Sequence, residues 1–151
     1  MAATIRSRLG ALDWEALAGH LDEEGFVQTP PVFTAVERAE LAQSFEDGRF
    51  RSTIDMRRHR FGEGMYRYFD RPLPDLIDAV RHALYPPLAD LANRWAQRLG
   101  EPDELPAELD RFLDRCHEAG QERPTPLILR YTAGGHNALH QDIYGEVAFP
   151  L

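Results

Sequence analysis

LILRYTAGGHNALHQDIYGEVAFPL (residues 127–151) is the segment that decides the predicted fold class. With the two residues before it, the segment opens on a compact apolar run, residues 125–131, which predicts a buried strand. TAGGHNA is typical of a loop, LHQDIYG alternates in polarity like a strand, and EVAFPL predicts the start of another strand. The pattern of residues 1–122 is mostly helical. We therefore predict an α+β fold in which helices lead into a β region.

Apolar spacing and capping residues predict four helices upstream of this segment. The clearest one begins after Asp13, a typical N-cap, and ends at Gly25. Pro86 and Pro87 are expected to break or kink the third helix, because a proline ring removes a backbone donor and clashes with the preceding turn. The predicted elements are helices at residues 14–24, 35–47, 74–99 and 107–119, a short strand at 26–29, and a hairpin made by 50–56 and 64–69.

Length and composition indicate an ordinary soluble domain. The 151 residues fit a single domain, residues 1–151, and the hydrophobic content of 43% is typical of a globular protein. No apolar stretch approaches the length of a membrane span, so no membrane partner is expected. The single cysteine, Cys116, excludes an internal disulfide, and a reducing cytoplasmic location is therefore expected. We expect Cys116 to be a buried structural thiol.

Charge is distributed unevenly along the chain. The net charge of −8 argues against a general nucleic-acid binder, and all 17 basic residues are arginine, which indicates a GC-rich bacterial coding bias. Residues 49–71 nevertheless contain seven arginines and three acidic side chains, a local balance of +4, with aromatic residues between them. Two interpretations stay open: a nucleic-acid surface with phosphate contacts and stacking rings, or a hairpin with aromatics inward and arginines outward. We favour the second.

His140 and Asp142 form a His-x-Asp pair in a β context. Residues i and i+2 of a strand project from one face, which is what a facial metal site needs if positions are to stay open for substrate and dioxygen. His20 and Asp22 have the same spacing but lie in a predicted helix, where residues two apart point about 200° away from each other. Only the later pair can therefore share one metal. The motif alone is short and weak evidence.

The chain resembles a known family in three stretches. LILRYTAGGHNALHQDIYGEVAFPL (127–151), FRSTIDMRRHRFGEGMYRYF (50–69) and LYPPLADLANRW (84–95) are similar to Fe(II)/2-oxoglutarate-dependent oxygenases. The nearest group consists of bacterial proteins with prolyl-hydroxylase-like domains, linked to oxidative demethylation of damaged nucleic acid. The resemblance covers most of the chain. It implies a double-stranded β-helix (jelly-roll) core that starts at residues 123–151, after a helical region at residues 1–122.

The resemblance also implies a site. His140 and Asp142 match the first two ligands of Fe(II), Tyr131 matches a tyrosine that hydrogen-bonds the cosubstrate 2-oxoglutarate, and Asn137 is expected near the same pocket. Dioxygen is the other implied cosubstrate. The implied substrate is damaged nucleic acid, a protein or a small molecule, which is hydroxylated, or demethylated where the oxidised carbon is an N-methyl group.

The family requires two further groups, a second histidine ligand and an arginine that pairs with the distal carboxylate of 2-oxoglutarate. Both lie on later strands than this chain contains, so we expect an incomplete and inactive form of the enzyme as given. His136, His59 and His117 are candidates for an internal third ligand, although each fits an ordinary role. The alternative from another class is a non-catalytic, jelly-roll-related module that binds a ligand or partner.

Overall fold

The computed structural model describes residues 3–101, 104–141 and 145–150. Helices and small antiparallel sheets are both present, which confirms the α+β class. Within the described ranges, no helix combines the length and the apolar content needed to cross a membrane. The elements are α1 (Ile5–Gly10), α2 (Trp14–Glu24), α3 (Ala35–Asp47), β1 (Phe50–Asp55), a 3-10 helix (Met56–His59), β2 (Gly62–Glu63), β3 (Met65–Phe69), α4 (Asp75–Leu99), α5 (Leu109–Glu118), β4 (Leu127–Arg130) and β5 (His136–Asn137).

The chain divides into two compact units that are interleaved along the sequence. The helical unit draws on residues 1–34, 75–121 and 145–151 and contains α1, α2, α4 and α5. The sheet unit draws on residues 35–74 and 122–144 and contains α3, the 3-10 helix and the described strands. The single domain expected from the sequence stays a prediction.

The ends of α2 are set by the residues that the sequence predicts. A carboxylate oxygen of Asp13 accepts a hydrogen bond from the backbone N–H of Ala16 at 3.0 Å, which satisfies one of the donors that a helix start leaves unpaired. Gly25 ends the helix with φ at 76°, a left-handed conformation that glycine adopts without strain. The bounds of α3, α4 and α5 likewise lie within two residues of their predicted positions.

α4 continues through Pro86 and Pro87, so a break at the proline pair is wrong, and the alternative of a kink stays a prediction. A proline inside a helix costs roughly 3 kcal/mol, because a hydrogen bond is lost and the ring clashes. The same stretch buries Tyr85 and Ala89, which are only 5% and 1% exposed, and fully burying one large apolar side chain contributes about 1.5–3 kcal/mol. The hydroxyl of Tyr85 also donates to the backbone O of Pro106 at 2.8 Å. Tertiary packing therefore holds the helix together where local preference would end it.

An aromatic cluster forms the core of the helical unit. The ring centroids of Tyr85 and Phe112 lie 5.4 Å apart, and that of Phe149 lies 5.3 Å from Tyr85. Phe149 belongs to EVAFPL, whose described residues do not form the predicted strand. The side-chain amide of Gln121 instead accepts from the backbone N–H of Val147 and donates to its O, each at 2.8 Å. Packing of the Phe149 ring against two other aromatic rings stabilises this segment more than an unpaired extended strand would.

The main sheet has the strand order β1-β3-β4 and is antiparallel throughout. The predicted hairpin is confirmed, with Ile54 of β1 opposite Tyr66 of β3. On the other side of β3, Tyr66 lies opposite Leu129 of β4. The strand at residues 127–130 was expected to be buried, and that is wrong, since Leu129 is 43% exposed. β4 is an edge strand among the described residues, which leaves one side uncovered.

Two shorter strand predictions are wrong where they can be compared. Residues 26–29 are irregular, and Phe26 is 71% exposed. Residues 139–141 form no strand and Leu139 is fully exposed, while residues 142–144 lie outside the described ranges. Alternating polarity forms a strand only when a neighbouring backbone pairs with it. The jelly roll stays a prediction.

Candidate functional site

Tyr131, Asn137 and His140 lie on one segment of the sheet unit, in the chain that follows β4. Tyr131 is the residue directly after β4, Asn137 is the second residue of β5, and His140 follows three residues later. Asp142, the predicted second ligand, lies outside the described residues. Three of the four predicted site residues are therefore positioned by the same short stretch, residues 131–140.

A two-stranded sheet fixes the middle of this segment. β5 pairs antiparallel with β2, and Gly62 lies opposite Asn137. The backbone N–H of Ala138 donates to the backbone O of Phe61 at 2.7 Å and extends the pairing by one residue. Gly62 has φ at 128°, and a Cβ there would lie 2.1 Å from the backbone O of His136. Only glycine allows the two backbones to approach this closely.

The ring of Tyr131 packs against Gly64, the residue between β2 and β3. A Cβ on Gly64 would lie 2.8 Å from Cδ1 and 2.9 Å from Cε1 of Tyr131, and 3.0 Å from Sδ of Met56. Met56 is 1% exposed, whereas Tyr131 keeps 42% of its surface exposed. The tyrosine is thus packed on one side and accessible on the other, which suits a side chain that contacts a small bound molecule.

The imidazole of His140 is exposed and is oriented by the backbone. Its Nδ1 lies 2.7 Å from the backbone O of Ala138. In the neutral ring this contact favours a proton on Nδ1, so that Nε2 carries the lone pair. Histidines that bind metals commonly hold their other ring nitrogen against a backbone carbonyl in this way. The ring of His140 is therefore oriented as the ring of a metal-binding histidine commonly is.

The candidates for an internal third ligand lie on three different elements. His136 lies on β5 and is exposed, His59 stacks on Phe61, and His117 lies on α5 in the helical unit. Among the described residues, no group of three histidine, cysteine, aspartate or glutamate side chains is arranged to hold a metal ion. Asp142 is outside that search, so it leaves the predicted pair untested.

The second His-x-Asp pair provides an internal comparison. His20 and Asp22 lie on α2, and the carboxylate of Asp22 accepts hydrogen bonds from the indole of Trp95 and from Arg98, the latter at 2.9 Å. These two donors, Trp95 first, hold the pKa of Asp22 below its ordinary value of 3.8. The carboxylate is engaged in a structural contact. The helical location that the sequence predicts for this pair is confirmed.

Cys116 is a buried free thiol on α5, as expected. Burial raises the pKa of this thiol and disfavours the thiolate, which is the reactive form. His117 is its neighbour along the helix, where adjacent side chains do not face each other. A nucleophilic role is therefore not indicated.

Five of the seven arginines of residues 49–71 form two groups. The guanidinium of Arg67 lies 4.6 Å from the ring centroid of Phe45, and that of Arg51 lies 4.2 Å from the ring centroid of Tyr68. These arginines pack on aromatic faces of the sheet unit, so the prediction that all arginines point outward is wrong for them. The second group is exposed and lies in and beside the 3-10 helix: Arg57, Arg58 and Arg60.

The sequence does not indicate which residues pack against residues 131–140, the segment that carries the candidate site. The pattern around Gly62 and Gly64 predicts only a turn, whereas each glycine lies against the backbone or ring of the segment. Met56, at the end of a β-rich run, gives no sign that its side chain is buried beneath Gly64. A glycine inside a strand pattern does signal a close approach, but it does not say which distant residue approaches.

Comparison with known proteins identifies a family. Residues 64–151 match the family described as "Oxygenase, catalysing oxidative methylation of damaged DNA". Two uncharacterized proteins of Mycobacterium tuberculosis, from strains CDC 1551 and H37Rv, are each 47% identical to the chain over 83 residues. That region is 55% of this chain and 36% of either relative, so the match spans little more than a third of their length. No solved structure matches the chain significantly.

Proposed function

The chain belongs to this oxygenase family, and from that premise we propose that it carries the first two iron ligands of a non-haem Fe(II)/2-oxoglutarate-dependent dioxygenase that acts on damaged nucleic acid. The family description supports the oxygenase class and the nucleic-acid substrate. The dependence on iron and 2-oxoglutarate comes from the resemblance of residues 127–151, and the structural observation that supports the metal-binding role is the 2.7 Å contact between Nδ1 of His140 and the backbone O of Ala138. That contact orients the ring on the segment that also carries Tyr131, and in this proposal Nε2 is the atom that binds the metal.

In this proposal the chain binds and orients, and the bound groups carry out the oxidation. Fe(II) and 2-oxoglutarate, when bound, supply the hydroxylation of a substrate C–H bond by dioxygen, with loss of CO2 and formation of succinate. His140 and Asp142 bind the metal, and the phenol of Tyr131 donates a hydrogen bond to 2-oxoglutarate. Asn137 borders the same pocket. On an N-methylated base, the hydroxymethyl product releases formaldehyde, and the methyl group is removed.

Metal binding to the full chain tests the ligand assignment without requiring turnover. Mn(II), which replaces Fe(II) at such sites and is stable in air, is titrated and followed by electron paramagnetic resonance. We expect wild type to bind Mn(II) weakly, because His140 and Asp142 are two of the three protein ligands that the family uses. His140→Ala should lose this binding, because it removes one of the two. His20→Ala is the matched control, since it removes the histidine of the helical His-x-Asp pair. Equal titrations for both variants would contradict the proposal and favour the non-catalytic binding module.

A second titration tests the cosubstrate assignment. We expect 2-oxoglutarate to tighten Mn(II) binding, because it chelates the metal alongside the protein ligands. Tyr131→Phe keeps the ring that packs on Gly64 and removes only the hydroxyl. One hydrogen bond contributes about 0.5–1.5 kcal/mol, so the apparent affinity for 2-oxoglutarate should fall by roughly two- to twelve-fold. An unchanged affinity would remove Tyr131 from the cosubstrate site.

A further inference from the structure

Residues 57–61, with the sequence RRHRF, form an exposed cluster that we term the basic turn. It comprises the last three residues of the 3-10 helix and the two that follow. Arg57, Arg58 and Arg60 are all exposed, and Asp55 is the acidic side chain that pairs with one of them, with 3.7 Å between its Oδ2 and Nε of Arg58. Among the described residues, Arg57 and Arg60 form no ion pair. The turn thus concentrates positive charge on a chain whose net charge is −8.

The backbone of the basic turn is held in a defined conformation. A carboxylate oxygen of Asp55 accepts from the backbone N–H of Arg57 at 3.2 Å and caps the 3-10 helix. Arg60 has φ at 59°, a left-handed conformation that is rare for a residue other than glycine. The backbone N–H of Phe61 donates to the O of Met56 at 3.1 Å and closes the turn onto a residue that is 1% exposed. Rare backbone conformations of this kind cluster at functional sites.

Two stacked rings lie beside the arginines. The rings of His59 and Phe61 are nearly parallel, with an angle of 21° between their planes and 5.5 Å between their centroids. His59 is exposed, and Phe61 keeps 46% of its surface exposed. An exposed aromatic face next to cationic side chains is what a single nucleic-acid strand requires, because bases stack on rings and phosphates pair with guanidinium groups.

The basic turn is attached directly to the segment that carries the proposed iron ligand. The backbone O of Phe61 accepts from the N–H of Ala138 at 2.7 Å, and Gly62 pairs with Asn137. The backbone O of the same Ala138 lies 2.7 Å from Nδ1 of His140. Ala138 therefore contacts both groups: its N–H donates to Phe61 of the stacked pair, and its carbonyl lies against the imidazole of His140.

We infer that the basic turn is the surface that holds a nucleic-acid single strand beside His140. Arg57, Arg58 and Arg60 contact successive phosphates, and a base next to the reacting one stacks on His59 and Phe61. The inference rests on the proposed function, which it deepens by naming the strand-binding surface. An acidic peptide would satisfy the arginines but would leave the exposed ring pair without a stacking partner. The observations therefore favour a nucleic acid.

Fluorescence anisotropy of a labelled single-stranded oligodeoxynucleotide, titrated with the full chain, tests the inference. The triple variant Arg57→Gln, Arg58→Gln, Arg60→Gln should bind more weakly at low salt. Because each phosphate contact contributes roughly −0.7 to the slope of log K against log salt, the slope should become shallower by about 2. Phe61→Ala should weaken binding by roughly ten-fold through lost stacking, with little change in the salt slope.

A second triple variant is the matched control. Arg6→Gln, Arg94→Gln, Arg111→Gln removes the same charge from exposed arginines of the helical unit. It should retain most of the affinity and the wild-type salt slope. The assay contains neither metal nor 2-oxoglutarate, so its outcome is independent of the Mn(II) titration that tests His140.

Each possible result bears on the inference. Selective weakening by the basic-turn variants supports it. Two results overturn it: no binding by wild type, or equal weakening by both triple variants. A third result also overturns it, namely a poly-glutamate peptide that competes as well as the oligodeoxynucleotide while Phe61→Ala binds like wild type. That result would assign the surface to an acidic peptide.

Discussion

Replacing Gly64 with alanine tests the contact that positions Tyr131. The new Cβ would lie 2.8 Å from Cδ1 of the ring, about 0.6 Å inside the 3.4 Å at which ordinary contact begins. An extra methyl group in a packed site costs about 1–3 kcal/mol, and the ring can swing outward, since 42% of its surface is exposed. We therefore expect the free energy of unfolding to fall by about 1–2 kcal/mol, which lowers the melting temperature of a chain of this size by roughly 2–8 °C. Urea unfolding followed by circular dichroism measures it.

Two further variants make this prediction refutable. Gly19→Ala adds the same methyl group in α2, where no atom lies within 4 Å. It should stabilise the chain by up to about 1 kcal/mol, because alanine is the better helix former. When Tyr131 is also replaced by alanine, Gly64→Ala should lower the free energy of unfolding by a smaller amount, because only the contact with Met56 then remains. A cost that is the same with and without the ring of Tyr131 would refute the reasoning.

Three groups outside the site give further predictions. Burial raises the pKa of Tyr85 to about 12, whereas an unfolded tyrosine ionises near pH 10. Its neutral form therefore stabilises the fold fully below pH 10, and the free energy of unfolding should fall relative to Tyr85→Phe as the pH rises toward 12; parallel curves would contradict this. The lowered pKa of Asp22 has the opposite effect, since its contribution is complete above 3.8 and is lost as the pH falls through the folded pKa. The difference in unfolding free energy between wild type and Asp22→Asn should accordingly shrink below pH 3.8, and a constant difference would count against it. Cys116 should react slowly with an aromatic disulfide reagent in the folded chain and rapidly in urea, because its thiol is buried with a raised pKa; equal rates would show that it is accessible.

The helices could be predicted because their signals are local. Asp13 and Gly25 cap α2 through contacts within a few residues, and the hairpin of β1 and β3 joins neighbouring stretches of chain. The passage of α4 through Pro86 and Pro87 could not be predicted in the same way. It depends on burial against distant residues, which no local propensity contains.

The candidate site was predictable as a set of residues but not as an arrangement. The spacing and the family resemblance single out His140 and Tyr131, and both lie on the segment after β4. The packing of Tyr131 on Gly64 and the contact of His140 with the backbone O of Ala138 could not be predicted, because each depends on packing or backbone geometry. Phe149 shows the same limit, since EVAFPL predicts the start of a strand while the ring of Phe149 packs against Tyr85 of α4.

The interleaving of the two units determines the order in which the sheet can assemble. Ile54 and its partner Tyr66 are 12 positions apart, whereas Tyr66 and Leu129 are 63 apart. Closing the longer loop costs about 1.5 kcal/mol more entropy. On a ribosome that adds 5–20 residues per second, β4 would be synthesised roughly 3–13 s after the hairpin. The contacts that close the basic turn join residues 55–61 and need no later part of the chain, whereas the segment with His140 is the last part of the sheet unit to be synthesised.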